Sequence, residues 1–324
     1  MRKTVFIALG AIGFVLFYFT FQSTYKVFRA DWLPPEAPER AAQYRLVLIT
    51  QDLETPFWVK VASGAAEEAR RSGAAIEVWG SYGNNREDFL KKLEIAIDSK
   101  VDGIIVQGLD TDEFKQLTKV KAAFYGIPVI TVASDVPMEE SSRRTYVGSD
   151  QFKAGQMIAE QLVQDMGTAG KVIVLGESSR EYYQQQRLEG ITAFLKNYPG
   201  IRTVYAGTPE ARERVIAATR DLMNRLPDVQ AFIAVNASIA GAMIHEIGSR
   251  SRVEPYYIYS FDDSPDAEAL LEEGKLDGMI GQAPEEMGRL SVRLTMQWLR
   301  GETVPLDTDG YLTPVRMLRS GETP

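Results

Sequence analysis

The sequence predicts an α/β protein: two doubly wound parallel-sheet (Rossmann-like) domains behind a single N-terminal transmembrane helix. Short apolar, β-branched runs alternate with longer segments whose apolar residues recur every three or four positions. That alternation marks βαβ units whose sheets are buried on both faces. Nine such runs are too many for one compact open sheet in 324 residues, and they divide near "YVGSD", Tyr146 to Asp150. A long uncharged stretch at the start of the chain is the third observation.

That stretch, Thr4 to Phe21, follows Met1-Arg2-Lys3 and holds eighteen residues without a charge, near the lower limit for a helix that spans a bilayer. It exceeds the usual core of a secretory signal, and no small-x-small cleavage site follows; "QSTYKVFRADW" is bulky and charged. We therefore expect an uncleaved anchor, with residues 1–3 as a cytoplasmic tail and the body outside the cell membrane. Lys26 and Arg29 partly offset Arg2 and Lys3 in setting that orientation. Residues 22–43 read as a linker, stiffened by the prolines of "LPPEAPERAAQ".

From Tyr44 the expected strands are residues 45–50, 75–80, 102–108, 128–134, 171–177, 201–207, 229–236, 255–262 and 276–282. "REDFLKKLEIAIDSK" and "EEMGRLSVRLTMQWLRG" are typical of the helical segments between them. A net charge of −8 with no basic stripe argues against a nucleic-acid partner. The absence of cysteine removes disulfides, Cys-based zinc sites and thiol nucleophiles, and His245, the single histidine, has no second histidine with which to build a metal site or catalytic dyad. Neither a P-loop nor a G-x-G-x-x-G fingerprint is present, and no nucleophile elbow or motif-supported carboxylate pair suggests an enzyme. No cofactor is expected.

Polar residues stand at the predicted strand ends: Asp52, Ser134, Asp135, Asn236, Asp262 and Gln282. Ligands of open α/β sheets bind outside those ends, so a cleft between two such domains gathers them. "ETPFW", Glu54 to Trp58, sits where the first strand turns into a helix. Neighbouring side chains are about 100° apart around a helix axis, so Phe57 and Trp58 cannot both face its core, and one is expected to look elsewhere.

Four motifs, in order, carry a resemblance to the type I periplasmic sugar-binding proteins, in particular the ribose-binding-like branch: a strand followed by "TPFW"; "GIPVITVASDVP" leading to "YVGSDQFKAG"; "PDVQAFIAVN"; and "YSFDDSPDAEALLEEGKLDGMIGQAPEEMG". The resemblance spans about residues 44–318. It implies two lobes, residues 44–149 with 283–311 and residues 150–282 with 312–318, joined by a multi-strand hinge near Ser149, Gln282 and Tyr311. It places Phe57 and Trp58 against a sugar ring, whose C–H face an aromatic π-face covers well. Asn236, Asp262 and Gln282 then hydrogen-bond the hydroxyl rim. Two positions depart from the ribose pattern. Ala133-Ser134-Asp135 stands where members of that branch have Asp-Arg or Asp-Ser-Asp, so the first carboxylate is missing and Asp135 is the surviving candidate, and Gln185 stands where a basic ligand residue is common, while Arg187 and Gly190 keep the scaffold. Structural alternatives stand beside these roles: Phe57 and Trp58 as core packing, and Asn236 and Asp262 as helix caps.

The expected function is a membrane-anchored sugar-binding protein that closes around a pentose-like monosaccharide. Its expected partner is the membrane histidine kinase of a two-component system; the alternative is the permease of an ABC sugar importer.

Overall fold

The computed structural model describes residues 13–22, 44–82, 85–178, 181–209, 211–250, 256–261 and 265–320. The chain falls into two units, residues 1–41 and 42–324. In the first, helix α1 runs over residues 13–22, and the Thr20 hydroxyl donates to the Leu16 carbonyl one turn back at 2.8 Å. Residues 4–12 of the expected anchor lie outside the described residues, and among the described residues no helix is long and apolar enough to cross a membrane.

The second unit contains two six-stranded sheets. The first is built from β1 (Tyr44–Thr50), α2 (Pro56–Ser72), β2 (Ala74–Gly80), α3 (Arg86–Asp98), β3 (Gly103–Gln107), α4 (Asp112–Gln116), β4 (Val129–Val132), α5 (Met138–Ser141) and β5 (Thr145–Ser149). The chain then enters the second sheet through α6 (Gln151–Met166), β6 (Ala169–Glu177), α7 (Tyr182–Leu195), β7 (Gly200–Thr208), α8 (Arg212–Arg225), β8 (Ala231–Ala234), α9 (Ala237–Arg250), β9 (Tyr257–Phe261), α10 (Pro265–Glu272) and β10 (Gly278–Gly281). It returns through α11 (Pro284–Leu299) to β11 (Tyr311–Thr313), then crosses once more to β12 (Arg316–Arg319).

The strand orders are β11-β5-β4-β3-β1-β2 and β12-β10-β9-β8-β6-β7. All neighbours are parallel except β12, which runs antiparallel to β10. Each sheet is covered on both faces, as its continuous apolar strands require. In the first sheet, alternate residues of β1 serve opposite faces: Leu46 and Leu48 join the cluster under α2 and α11, while Val47 and Ile49 join the one under α3 and α4. In the second, one cluster lies with α6 and α7 and the other with α8, α9 and α10.

All nine expected strands are present. β5, β11 and β12 are additional, and they form the hinge side of the molecule. Three crossings join the lobes, after Ser149, after Gly281 and at residues 314–315. The expected boundary between residues 311 and 312 falls within β11, so the last crossing comes two residues later than anticipated. Asp150 begins α6 at the first crossing by accepting from the Lys153 N–H at 2.8 Å.

Each lobe also contains a helix pair in direct backbone contact. A Cβ added to Gly64 of α2 would lie 2.0 Å from the Glu285 carbonyl oxygen of α11, and one on Gly288 would lie 2.0 Å from that of Val61. In the other lobe, Gly155 of α6 and Gly190 of α7 stand in the same relation to the carbonyls of Arg187, at 2.1 Å, and Phe152, at 2.0 Å. The glycines of "FKAG", "RLEG" and "EEMG" are thus contact points between helices.

Candidate functional site

The carboxyl ends of the two sheets face one cavity of about 550 Å³, within the range of small-molecule sites. From the first lobe it is lined by the β1–α2 turn, Gln107 at the end of β3, and Ala133 and Ser134 after β4. The second lobe contributes Glu177 at the end of β6, Arg187 of α7, Asn236 after β8 and Asp266 of α10, and Gln282 lies in the crossing between them.

Phe57 and Trp58 both line the cavity. They occupy the first turn of α2 and divide as expected, Trp58 facing the core and Phe57 half-buried beside it. Thr55 caps that turn by accepting from the Trp58 N–H at 3.5 Å, and Pro56 occupies the first helical position. Trp58 is only 8% exposed and belongs to the core cluster with Leu48, Val61 and Val132. Phe57 packs edge-to-face on it, with ring centroids 5.4 Å apart and planes at 87°. Trp58 therefore fixes Phe57, at a strength of about 1 kcal/mol for such ring pairs beyond area burial.

Gln282 is buried and its Oε1 accepts from the Ser149 hydroxyl at 2.7 Å. That bond ties two of the three crossings together beneath the cavity. Asn236 is buried too, and takes the helix-capping role given above as its structural alternative. Its Oδ1 accepts from the Ile239 N–H at 3.2 Å and the Ser238 hydroxyl at 3.0 Å at the start of α9, and its amide nitrogen donates to Glu177, all at the cavity wall. Asp262 lies outside the described residues.

Two expected residues are not brought to the cavity. Asp135 accepts from Arg143 through both carboxylate oxygens, at 2.6 and 2.7 Å, and from the Thr131 hydroxyl at 2.6 Å. Arg143 in turn donates to the Thr308 carbonyl at 2.8 Å, anchoring the segment that leads to β11. The turn responsible is at Ala133, whose φ of 64° is the left-handed conformation that costs a non-glycine residue about 1 kcal/mol. It leaves Ala133 and Ser134 at the cavity and sends Asp135 back toward β4. The Tyr146 hydroxyl holds this turn, donating to the carbonyls of Ala133 and Ser149, and burial, with the Asp135 charge, pushes its pKa up. Gln185 is exposed on α7, whose cavity-lining residues Tyr183 and Arg187 are one helical turn apart; position 185 is on the opposite face.

Gln107 and Glu177 were not anticipated, although Glu177 ends a predicted strand, Gln107 stands next to the end of one, and the rule that selected the other strand ends applied to them equally. Gln107 Oε1 accepts from the Thr50 hydroxyl at 3.1 Å and the Gln51 N–H at 2.9 Å, so it braces the β1 tip. Farther from the hinge, an ion pair links the lobes: Arg86, the first residue of α3, lies 3.5 Å from Glu181, just ahead of α7.

Two doubly wound lobes, three crossings and a cleft lined by strand ends define a two-lobe ligand-binding protein. The chain belongs to the periplasmic binding protein domain family, whose model matches residues 46–303. It is 24% identical over 275 residues to the ribose import binding protein RbsB of Bacillus subtilis, an overlap covering 85% of this chain and 88% of that one. The glucose-galactose binding protein GanP of Geobacillus stearothermophilus is similar in structure, with a TM-score of 0.79 at 28% identity, covering 85% of this chain and 97% of that one. XylFII in its complex with LytSN gives a TM-score of 0.76 at 27% identity, covering 86% and 99%. These relatives are named as binding proteins or as a complex, not as enzymes.

Proposed function

We propose that this protein is an extracytoplasmic monosaccharide-binding protein, held at the cell membrane by residues 4–21, that closes on a pentose-like sugar and presents its closed form to a membrane sensor kinase. The observation that carries the sugar reading is the pairing of Phe57 and Trp58 with polar strand ends around one cavity. An aromatic face covers the C–H side of a sugar ring, and carboxylate and amide groups meet its hydroxyls, which lose hydrogen bonds if left unpartnered. Asp262, next in the chain to Phe261, is assigned to that polar set with Gln282 and Asn236. A sugar bridging both lobes binds the closed arrangement better and shifts the population toward it. The XylFII–LytSN complex supports docking on a second protein. The relation to a ribose import binding protein favours the other reading, delivery to an ABC permease.

Calorimetry of the full chain against D-ribose, D-xylose, D-allose, L-arabinose, D-glucose and D-galactose tests the sugar reading; no heat with any of them refutes it. With the sugar that binds, Asp262→Ala is expected to weaken affinity roughly 10- to 100-fold, the loss of one or two charge-assisted hydrogen bonds, without lowering the melting temperature. Unchanged affinity would remove Asp262 from the site. Co-purification with a sensor kinase or with a permease separates the two partner readings.

Closure gives the Arg86–Glu181 pair a role. The Arg86 side chain is 50% exposed, so the pair contributes less than about 1 kcal/mol. Arg86→Glu is expected to open the ligand-free lobes, raise the radius of gyration in small-angle scattering and weaken sugar affinity about two- to fivefold, with the difference fading in high salt. An unchanged radius and affinity at low salt would show that the pair does not bias closure.

A further inference from the structure

We infer that Glu177 contacts the ligand directly and sets its charge class, so that the cleft takes an uncharged or ammonium-bearing sugar and rejects one that carries a carboxylate or phosphate. This rests on the monosaccharide reading above. Glu177 ends β6, is 9% exposed and lines the cavity. Its main chain is fixed on both sides: the N–H donates to Gln184 Oε1 at 3.2 Å, and the carbonyl accepts from the Tyr205 hydroxyl at 3.0 Å. Gln184 is itself fully buried.

The neighbouring Asn236 gives its oxygen to the start of α9 and an amide proton to Glu177. Asn236 therefore positions the carboxylate, and Glu177 brings a negative charge and hydrogen-bond acceptor oxygens to the cavity wall. Asp52, Glu181 and Asp266 also line the cavity, against Arg187 and Arg212. Arg187 is buried, with its guanidinium donating to Gln151 and to the Val235 carbonyl. Among the described lining residues, four carboxylates thus stand against two guanidiniums, with Glu181 paired to Arg86, and an anionic ligand meets like charge there. Hydroxyl and ammonium donors meet an acceptor.

The test is calorimetry of the full chain with matched sets: D-glucose, D-glucosamine and D-glucuronate, and D-galactose, D-galactosamine and D-galacturonate, alongside D-ribose, D-xylose and D-allose. At least one neutral sugar is expected to bind, each uronate at least about tenfold more weakly than its parent hexose, and each amino sugar no more weakly than the parent. Glu177→Gln is expected to weaken the neutral sugar about tenfold and to narrow the discrimination against uronates. Glu177→Asp, which keeps the charge but withdraws it by one methylene, loses affinity and keeps the discrimination. Uronates that bind as tightly as the parent hexoses overturn the inference without any variant. So does a folded Glu177→Gln protein with wild-type affinity for the neutral sugar, and either result leaves the sugar reading standing. If no sugar binds, the monosaccharide reading fails and this inference falls with it.

Discussion

Gly190→Ala is expected to destabilise the second lobe by about 3 kcal/mol or more, seen as a lower midpoint in urea denaturation. Two effects oppose each other. Alanine is the better helix former by about 1 kcal/mol, so an exposed helical glycine gains from the change. Against that, the new methyl would lie 2.0 Å from the Phe152 carbonyl oxygen. Backbone cannot rotate away as a side chain can, so α6 and α7 must separate, and overpacking of this kind costs about 1–3 kcal/mol even where neighbours yield. Separation also breaks the reciprocal approach of Gly155 to Arg187, so the steric term wins. Gly241→Ala is the control: on α9 of the same lobe, its added Cβ has no atom within 4 Å, and the propensity gain stands alone, a rise of about 0.5–1 kcal/mol. A Gly190→Ala protein as stable as wild type would show that the two helices do not depend on backbone contact.

The contrast between those glycines explains what was readable in the sequence and what was not. The βαβ alternation and the polar strand ends were legible because burial on both sheet faces writes continuous apolar runs with punctuated ends. β5 and β11, of five and three residues, were placed only by the resemblance, as hinge strands near Ser149 and Tyr311, and the four-residue β12 was not placed at all. The division at "YVGSD" was visible nonetheless, because the strand series restarts there. Within the site, Phe57, Trp58, Asn236 and Gln282 reach the cavity. Asp135 does not, because its position depends on the left-handed turn at Ala133 and on Arg143, eight residues ahead. No local pattern announces such a turn at an alanine. Gln185 was drawn from a resemblance of motif, whereas the geometry of α7 selects Tyr183 and Arg187.

Arg187 joins the scaffold to the site, and its replacement is expected to affect both. Its side chain is 2% exposed, yet it carries a charge, an arrangement stable only when the guanidinium is fully partnered. Nε donates to Gln151 Oε1 at 2.8 Å at the start of α6, and Nη1 donates to the Val235 carbonyl at 2.6 Å at the end of β8. The guanidinium carbon lies 4.4 Å from the ring centre of Phe261, the last residue of β9, and 4.9 Å from that of Tyr183. One planar cation therefore holds the tips of β8 and β9 against α6 and α7, and Asn236 and Asp262 are the residues that follow those tips. Arg187→Met fills similar volume but leaves the Val235 carbonyl and Gln151 without this donor in a buried setting, and we expect a loss of about 3–5 kcal/mol in urea denaturation, as for other broken buried ionic contacts. Arg187→Lys retains the charge but not the fork or the flat face, so it should recover less than half of that loss. In the folded Lys variant, sugar affinity should fall about tenfold while the fluorescence response of Trp58, in the other lobe, keeps its amplitude at saturation. A Met variant with wild-type stability would mean that the strand tips are held by the sheet alone, and a Lys variant with wild-type affinity would mean that their position does not depend on Arg187.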